Sequence, residues 1–93
     1  MLVIFRTRND DWDRFRRTLV ENQGRIREMG CTRLEAYRNR KHPEEWVMLQ
    51  DWPDKPTFDE FASERGPALD HLAGVRWTDV STWLGEPALE PSL

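Results

Sequence analysis

The chain has 93 residues, with 14 basic and 17 acidic side chains and a net charge of −3. That length allows one domain, and the acidic balance argues against a nucleic-acid partner, which needs a basic patch. No apolar run nears the ~20 residues of a membrane span, "MLVIF" is too short for a signal-peptide apolar region, and the single Cys31 excludes an internal disulfide framework, so a cytoplasmic protein is expected.

"LVIFRTR" (2–8) reads as the first strand, apolar on both faces over residues 2–5. Asn9, Asp10 and Asp11 suit an N-cap and first helical turn. Trp12, Phe15, Leu19, Ile26 and Met29 recur at helical spacing. Gly30 is a natural stop, so the first helix spans about 10–29. "CTRLEAYR" (31–38) sets Thr32, Leu34 and Ala36 against Cys31, Arg33, Glu35 and Tyr37. Its half-polar second face marks an edge strand. The polar loop "NRKHPEE" (39–45) joins it as a hairpin to a third strand, about 45–52. There Trp46, Met48 and Trp52 share one face, and Val47 and Leu49 the other.

After "PDKP", Thr57 to Glu60 fits a capping box, and Phe58, Phe61, Ala62 and Arg65 give one face of a helix, apolar until Arg65 interrupts it. Gly66-Pro67 predicts a break or kink, dividing the second helix into about 57–65 and 67–73. Gly74 ends it. "VRWTDVSTWL" (75–84) is the last strand, with Val75, Trp77 and Trp83 on one face and Val80 and Leu84 on the other. Residues 1–85 form one domain on this reading, and 86–93 a Pro-rich tail, extended or frayed.

The order β-α-β-β-α-β is the ferredoxin-like pattern. It implies an α+β fold, a four-stranded antiparallel sheet with both helices on one face. Right-handed crossovers put the first and third strands in the centre. Those two carry apolar residues on both faces, where an isolated domain of this kind would alternate. The face away from the helices is then a contiguous apolar patch, the mark of an interaction surface. The simplest cover is a second copy about a two-fold axis, a homodimer through the open sheet face.

The stretch "GCTRLEAYRNRKHPEEWVMLQDWPDKPTFDEF" resembles the antibiotic-biosynthesis-monooxygenase-like family of dimeric α+β barrels. The resembling parts are Gly30-Cys31 before the second strand, Tyr37-Arg38 at its end, and the polar hairpin with Pro43. A third strand closing on an acidic residue and Trp52 follows, then an aromatic-rich helix, with His71 six residues past Arg65. The resemblance covers residues 1–85. It implies a homodimer with its sheets face to face and a pocket between sheet and helices in each monomer. It also implies oxidation of a quinol or phenol by O2 without a cofactor. Other relatives degrade haem, using an Asn on the first strand with a Trp and a His on the second helix. His71 matches that trio, but Thr7 and Phe61 stand near the other two positions, which argues against haem binding or degradation.

His71 is the candidate catalytic base, since an imidazole titrates near neutrality; the alternative is a surface or partly buried helix histidine. Trp52, Trp77, Trp83 and Tyr37 can line a pocket for a flat substrate or serve as core and dimer packing. The resemblance places Trp52 near the pocket. Arg38 can steady a phenolate or stand exposed on the hairpin. Arg65 can meet a substrate anion or pair with Asp51. His42 reads as a solvent-exposed loop residue, and Cys31 as a buried structural thiol. Two distant histidines without Cys or carboxylate at ligand spacing point to no metal site, and no cofactor is expected. The resulting reading is a cofactor-independent monooxygenase of a small aromatic phenol or quinol. Its rival is a non-catalytic dimeric ligand-binding module on the same fold.

Overall fold

The chain runs β1 (Leu2–Asn9), α1 (Trp12–Glu28), β2 (Arg33–Arg38), β3 (Glu45–Asp51), α2 (Lys55–Ala73) and β4 (Val75–Trp83) in a computed structural model that describes residues 1–84, Glu86 and Leu89. Apart from Glu86 and Leu89, the expected tail lies outside the described residues. The sheet is antiparallel in the order β2-β3-β1-β4, so β1 and β3 are central and β2 is an edge, as expected. No helix among the described residues is long and apolar enough to cross a membrane.

Local chemistry sets the helix ends. The Asp11 carboxylate accepts the Arg14 N–H at 3.0 Å, satisfying one of the free donors of the first turn of α1. At the other end Gly30 N–H donates to Arg27 O at 3.0 Å and Cys31 N–H to Ile26 O at 3.3 Å. These are the paired bonds of a Schellman ending. Gly30 holds φ +124, and a Cβ there would lie 2.9 Å from Thr57 Cγ2. Glycine at this point both turns the chain and lets the end of α1 approach α2.

The second helix differs from expectation in two ways. Its N-cap is Asp54, whose carboxylate accepts the Thr57 N–H at 2.9 Å; Thr57 itself is already helical. Pro56 sits in the first turn, where a missing N–H is harmless. The helix also continues through Gly66-Pro67 without a break. An interior proline costs about 3 kcal/mol. Opposing that, Phe58 and Phe61 before it and Ala73 after it are buried, and Leu69 packs on the same core. Each large apolar side chain buried contributes about 1.5–3 kcal/mol. Arg14 of α1 then closes the C-terminus of α2, with Nε donating to Leu72 O and a terminal nitrogen to His71 O, both at 2.8 Å. Gly74 turns the chain with φ 72.

Strand register decides which residues meet the helices. Val3 pairs with Gln50, Phe5 with Met48 and Thr7 with Trp46; Ile4–Leu49 and Arg6–Val47 alternate with them. Trp46, Met48, Gln50 and Trp52 are buried beneath α1 and α2, so Val47 and Leu49 point away from the helices. Trp77 and Trp83 pair with Arg8 and Leu2 on that outer face, where they are 42% and 56% exposed. Val75 does not join them as the alternation predicted. The register shifts between Arg8 and Asn9, pairing Arg8 with Trp77 but Asn9 with Val75. The extra residue on β4 is a bulge that returns Val75 to the helix side.

One substitution at two glycines should have opposite signs. Gly30→Ala forces a side chain into a positive-φ, crowded position and should destabilise by about 1–3 kcal/mol. Gly24→Ala, inside α1 with open space around it, should stabilise by roughly 0.5–1 kcal/mol. Urea denaturation of both variants checks the pair.

Candidate active site

The row of β3 side chains under the helices is anchored at both ends by aromatic packing. At one end the Trp46 ring stacks on Trp12 at 3.6 Å between centroids and 5° between planes. At the other, Trp52 packs on Phe58 and Phe61 at 5.7 and 4.9 Å. Between these clusters lies a cavity of about 50 Å³, walled by Phe5, Phe15, Met48, Phe61 and Leu69, with Thr7, Thr18, Gln50 and Asp70 as polar members. That volume admits a few water-sized occupants.

The four polar groups differ in state, and the Thr18 hydroxyl is spent on Arg14 O at 2.9 Å. Gln50 is 1% exposed; its carbonyl oxygen accepts the Trp52 indole N–H at 2.7 Å, and its nitrogen lies 3.6 Å from Met48 Sδ. The Trp52 bond thus fixes the amide orientation. The Thr7 hydroxyl is buried and has no hydrogen-bond partner among the described residues. Asp70 is exposed at the rim, and partial burial there pushes its carboxyl pKa up, since desolvation penalises the charged form.

The expected site residues scatter. His71 is exposed and does not line the cavity. The continuous helix explains this, because two residues past Leu69 is about 200° around the axis, on the far side from the sheet. Asp70, not His71, meets the cavity. Trp52 is buried core next to Gln50 rather than a cavity wall. Tyr37 is on the outer face opposite Val47, 53% exposed, donating to Glu35 at 2.8 Å. Arg38 stands at the Trp46 end, its guanidinium 5.0 Å from that ring centroid and its Nε donating to Pro43 O at 2.9 Å. Arg65 lines a shallow groove between α1 and α2 with Arg25 and Leu72. The contemplated Arg65–Asp51 pair is not formed, because Asp51 is on the opposite side of the sheet, 3.7 Å from Arg33. Cys31 is buried in the core, donates to Arg33 O, and has its thiol pKa raised by burial, in line with a structural thiol. Among the described residues no three His, Cys, Asp or Glu side chains converge as metal ligands.

Gln50 and Asp70 had escaped sequence reasoning. Gln50 carried a readable signal, a polar residue at a helix-facing position between Met48 and Trp52. Asp70 was hidden by the expected helix break, which removed the phase of everything after Pro67.

The order of strands and helices defines a ferredoxin-like α+β domain. The profile of the antibiotic biosynthesis monooxygenase family matches residues 1–66, and the chain belongs to that family. Asp70, His71 and β4 lie past the matched segment. SnoaB of Streptomyces nogalater, a cofactor-independent oxygenase, shares the fold with a TM-score of 0.73 at 16% identity, over 95% of this chain and 93% of its own. A Deinococcus radiodurans protein gives 0.69 at 17% identity over 97% of both chains. A Mycobacterium tuberculosis protein gives 0.67 at 18% identity, over 91% of this chain and 95% of its own. At such identities the likeness is one of fold. No curated protein matches the chain significantly.

Gln50→Leu leaves the buried Trp52 indole N–H unpaired and should destabilise by about 1–3 kcal/mol in urea denaturation. Asp70 gives a signed pH effect. Its folded carboxyl titrates above the unfolded value of ~3.9, so the folded state binds more protons in that window. Stability should fall as pH rises from the unfolded value through the raised folded one. Asp70→Asn should remove this component from urea midpoints measured across pH.

Proposed function

We propose that the chain is a cofactor-independent monooxygenase acting on a one-ring phenol or quinol in the sheet–helix cavity. The carrying observation is a carboxylate at the rim of a mostly apolar enclosure. Asp70 acts as the general base, because its raised pKa brings it nearer the phenol it deprotonates. The phenolate, an electron-rich anion in a water-poor space, reacts with O2. One oxygen atom replaces a ring C–H hydrogen; the O–O bond breaks, and the other atom leaves as water with the ring and hydroxyl hydrogens, so that the substrate supplies the electrons and ends as a quinone. Thr7 Oγ1, unpartnered in the wall, is available to hydrogen-bond the substrate oxygen.

The small volume restricts the substrate. A single ring exceeds about 50 Å³, so it enters by displacing wall side chains. Met48 is suited to that, being unbranched with three rotatable bonds. The same volume supports a second reading, in which the layer is filled by packing and the domain is a non-catalytic dimeric module. In either reading the chain acts as a homodimer through the outer face of the sheet. Leu2, Ile4, Val47 and Leu49 lie at its centre, and Trp77 and Trp83 beside them are exposed in the single chain. A contiguous, partly exposed apolar patch of this kind calls for cover.

Oxygen-electrode assays with a panel of one-ring hydroquinones distinguish the readings. The oxygenase predicts uptake above the uncatalysed rate, lost by about 10²-fold or more in Asp70→Asn and retained in His71→Ala. No uptake with any member of the panel favours the packing module.

A further inference from the structure

A second recess shares no lining residue with the cavity above. It is a cleft of about 260 Å³ between the N-terminal end of α1 and the β2–β3 hairpin, lined by Asn9, Trp12, Arg38, Glu44 and Trp46 among others. Three of its groups are set up for a ligand. Asn9 is 2% exposed, and neither atom of its amide has a hydrogen-bond partner among the described residues. Its backbone N–H donates to Glu44 O at 3.0 Å, so its position is fixed while its side chain neither caps a helix nor closes a turn. The Trp46 indole N–H is likewise buried without a partner.

Arg38 is the third group. Its Nε is held by Pro43 O, and the guanidinium lies 5.0 Å from the Trp46 ring centroid. Among the described residues it forms no salt bridge, and its terminal nitrogens make no hydrogen bond, so they are oriented but uncommitted. At the rim, the Asp10 carboxylate is occupied by Arg76 at 2.9 Å, which leaves Glu44 as the opposing charge. Buried unpaired amides and indoles are rare in folded chains and point to a partner. Here the donors outnumber the acceptors, and a guanidinium with free terminal nitrogens matches a carboxylate in two-point geometry.

We propose that this cleft binds a small one-ring aromatic carboxylate. The carboxylate meets Arg38, the ring lies against the tryptophan wall, and the Asn9 amide and Trp46 indole bond the polar edge of the ligand. The cleft falls just below the ~300 Å³ lower end of ordinary small-molecule sites, which limits the ligand to about one ring. Binding is independent of the oxygenase reading, since the two sites are walled by different residues.

The test uses the full ¹⁵N-labelled chain and benzoate as the probe, followed through the indole and side-chain amide resonances. Benzoate should shift the Trp46 indole and Asn9 amide signals saturably. Arg38→Gln should weaken binding about tenfold or more, the loss of a charge-assisted bond. Asn9→Leu, close in shape, should weaken it similarly while leaving the thermal midpoint unchanged or higher, because an unpaired buried amide is removed. Benzamide, neutral and otherwise alike, should bind at least about tenfold more weakly than benzoate. Asp70→Asn should bind benzoate as the parent does, which separates failure of this site from failure of the oxygenase. Absence of saturable shifts, benzylamine binding as well as benzoate, or full affinity in Arg38→Gln would overturn the proposal. Arg38 is exposed, so that variant decides the matter even where Asn9→Leu does not fold.

Discussion

One row of side chains organises this molecule: Trp46, Met48, Gln50 and Trp52, alternate residues along and just beyond β3, all buried under the helices. Side chains of a strand alternate with a period of two, so seating this row inside sends Val47 and Leu49 to the other face. A slip of one residue would bury Val47, Leu49 and Asp51 and expose two tryptophans. The rings at the two ends oppose that slip. Trp46 is stacked on Trp12 of α1, and Trp52 is wedged against Phe58 and Phe61 of α2. Each helix is thereby fixed to a different end of the same strand.

The recesses follow from that arrangement. Between the two aromatic ends the row is filled by Met48 and Gln50, which are slimmer than indole, and the layers leave a small cavity there. Beyond Trp46 the layer opens where β1 ends, and the second cleft forms against Asn9. Both recesses receive polar side chains from β1 positions that face the helices, Thr7 and Asn9. Their neighbours in the same row, Val3 and Phe5, are apolar. The strand is thus apolar at one end and polar at the other on its buried side, and the Thr7 hydroxyl and Asn9 amide are left without hydrogen-bond partners among the described residues, a cost to packing.

Much of the fold was legible because it rests on local signals. Asp11, Gly30 and Gly74 punctuate helices by chemistry that needs no tertiary context, and the order of elements with right-handed crossovers puts β1 and β3 in the centre. The continuity of α2 was not legible. Gly66-Pro67 is a genuine local breaker, outweighed by tertiary contacts that include the burial of Ala73 and packing of Leu69 beyond it and the Arg14 bonds at the helix C-terminus, from a residue far away in sequence. Which side chain meets the cavity depends on that phase, since the continuous helix turns Asp70 and not His71 toward it. The β4 bulge was equally hidden, because nothing in "VRWTDV" announces that β1 pairs around an extra residue. Tyr37 and Trp52 illustrate a different limit. Aromatic content shows that large surfaces are to be buried, but not whether in core, cavity or seam.

The outer face remains the largest consequence of seating that row. Leu2, Ile4, Val47 and Leu49 occupy its middle, with Arg6–Glu45 and Arg33–Glu35 ion pairs around them, the arrangement of an apolar centre with a polar rim. Sedimentation equilibrium of the chain at micromolar concentration tests this most directly. Cover by a second copy predicts a mass of twice 11.1 kDa, returning to the single-chain value in Leu49→Arg. A single-chain mass for the unaltered protein at every concentration would contradict it.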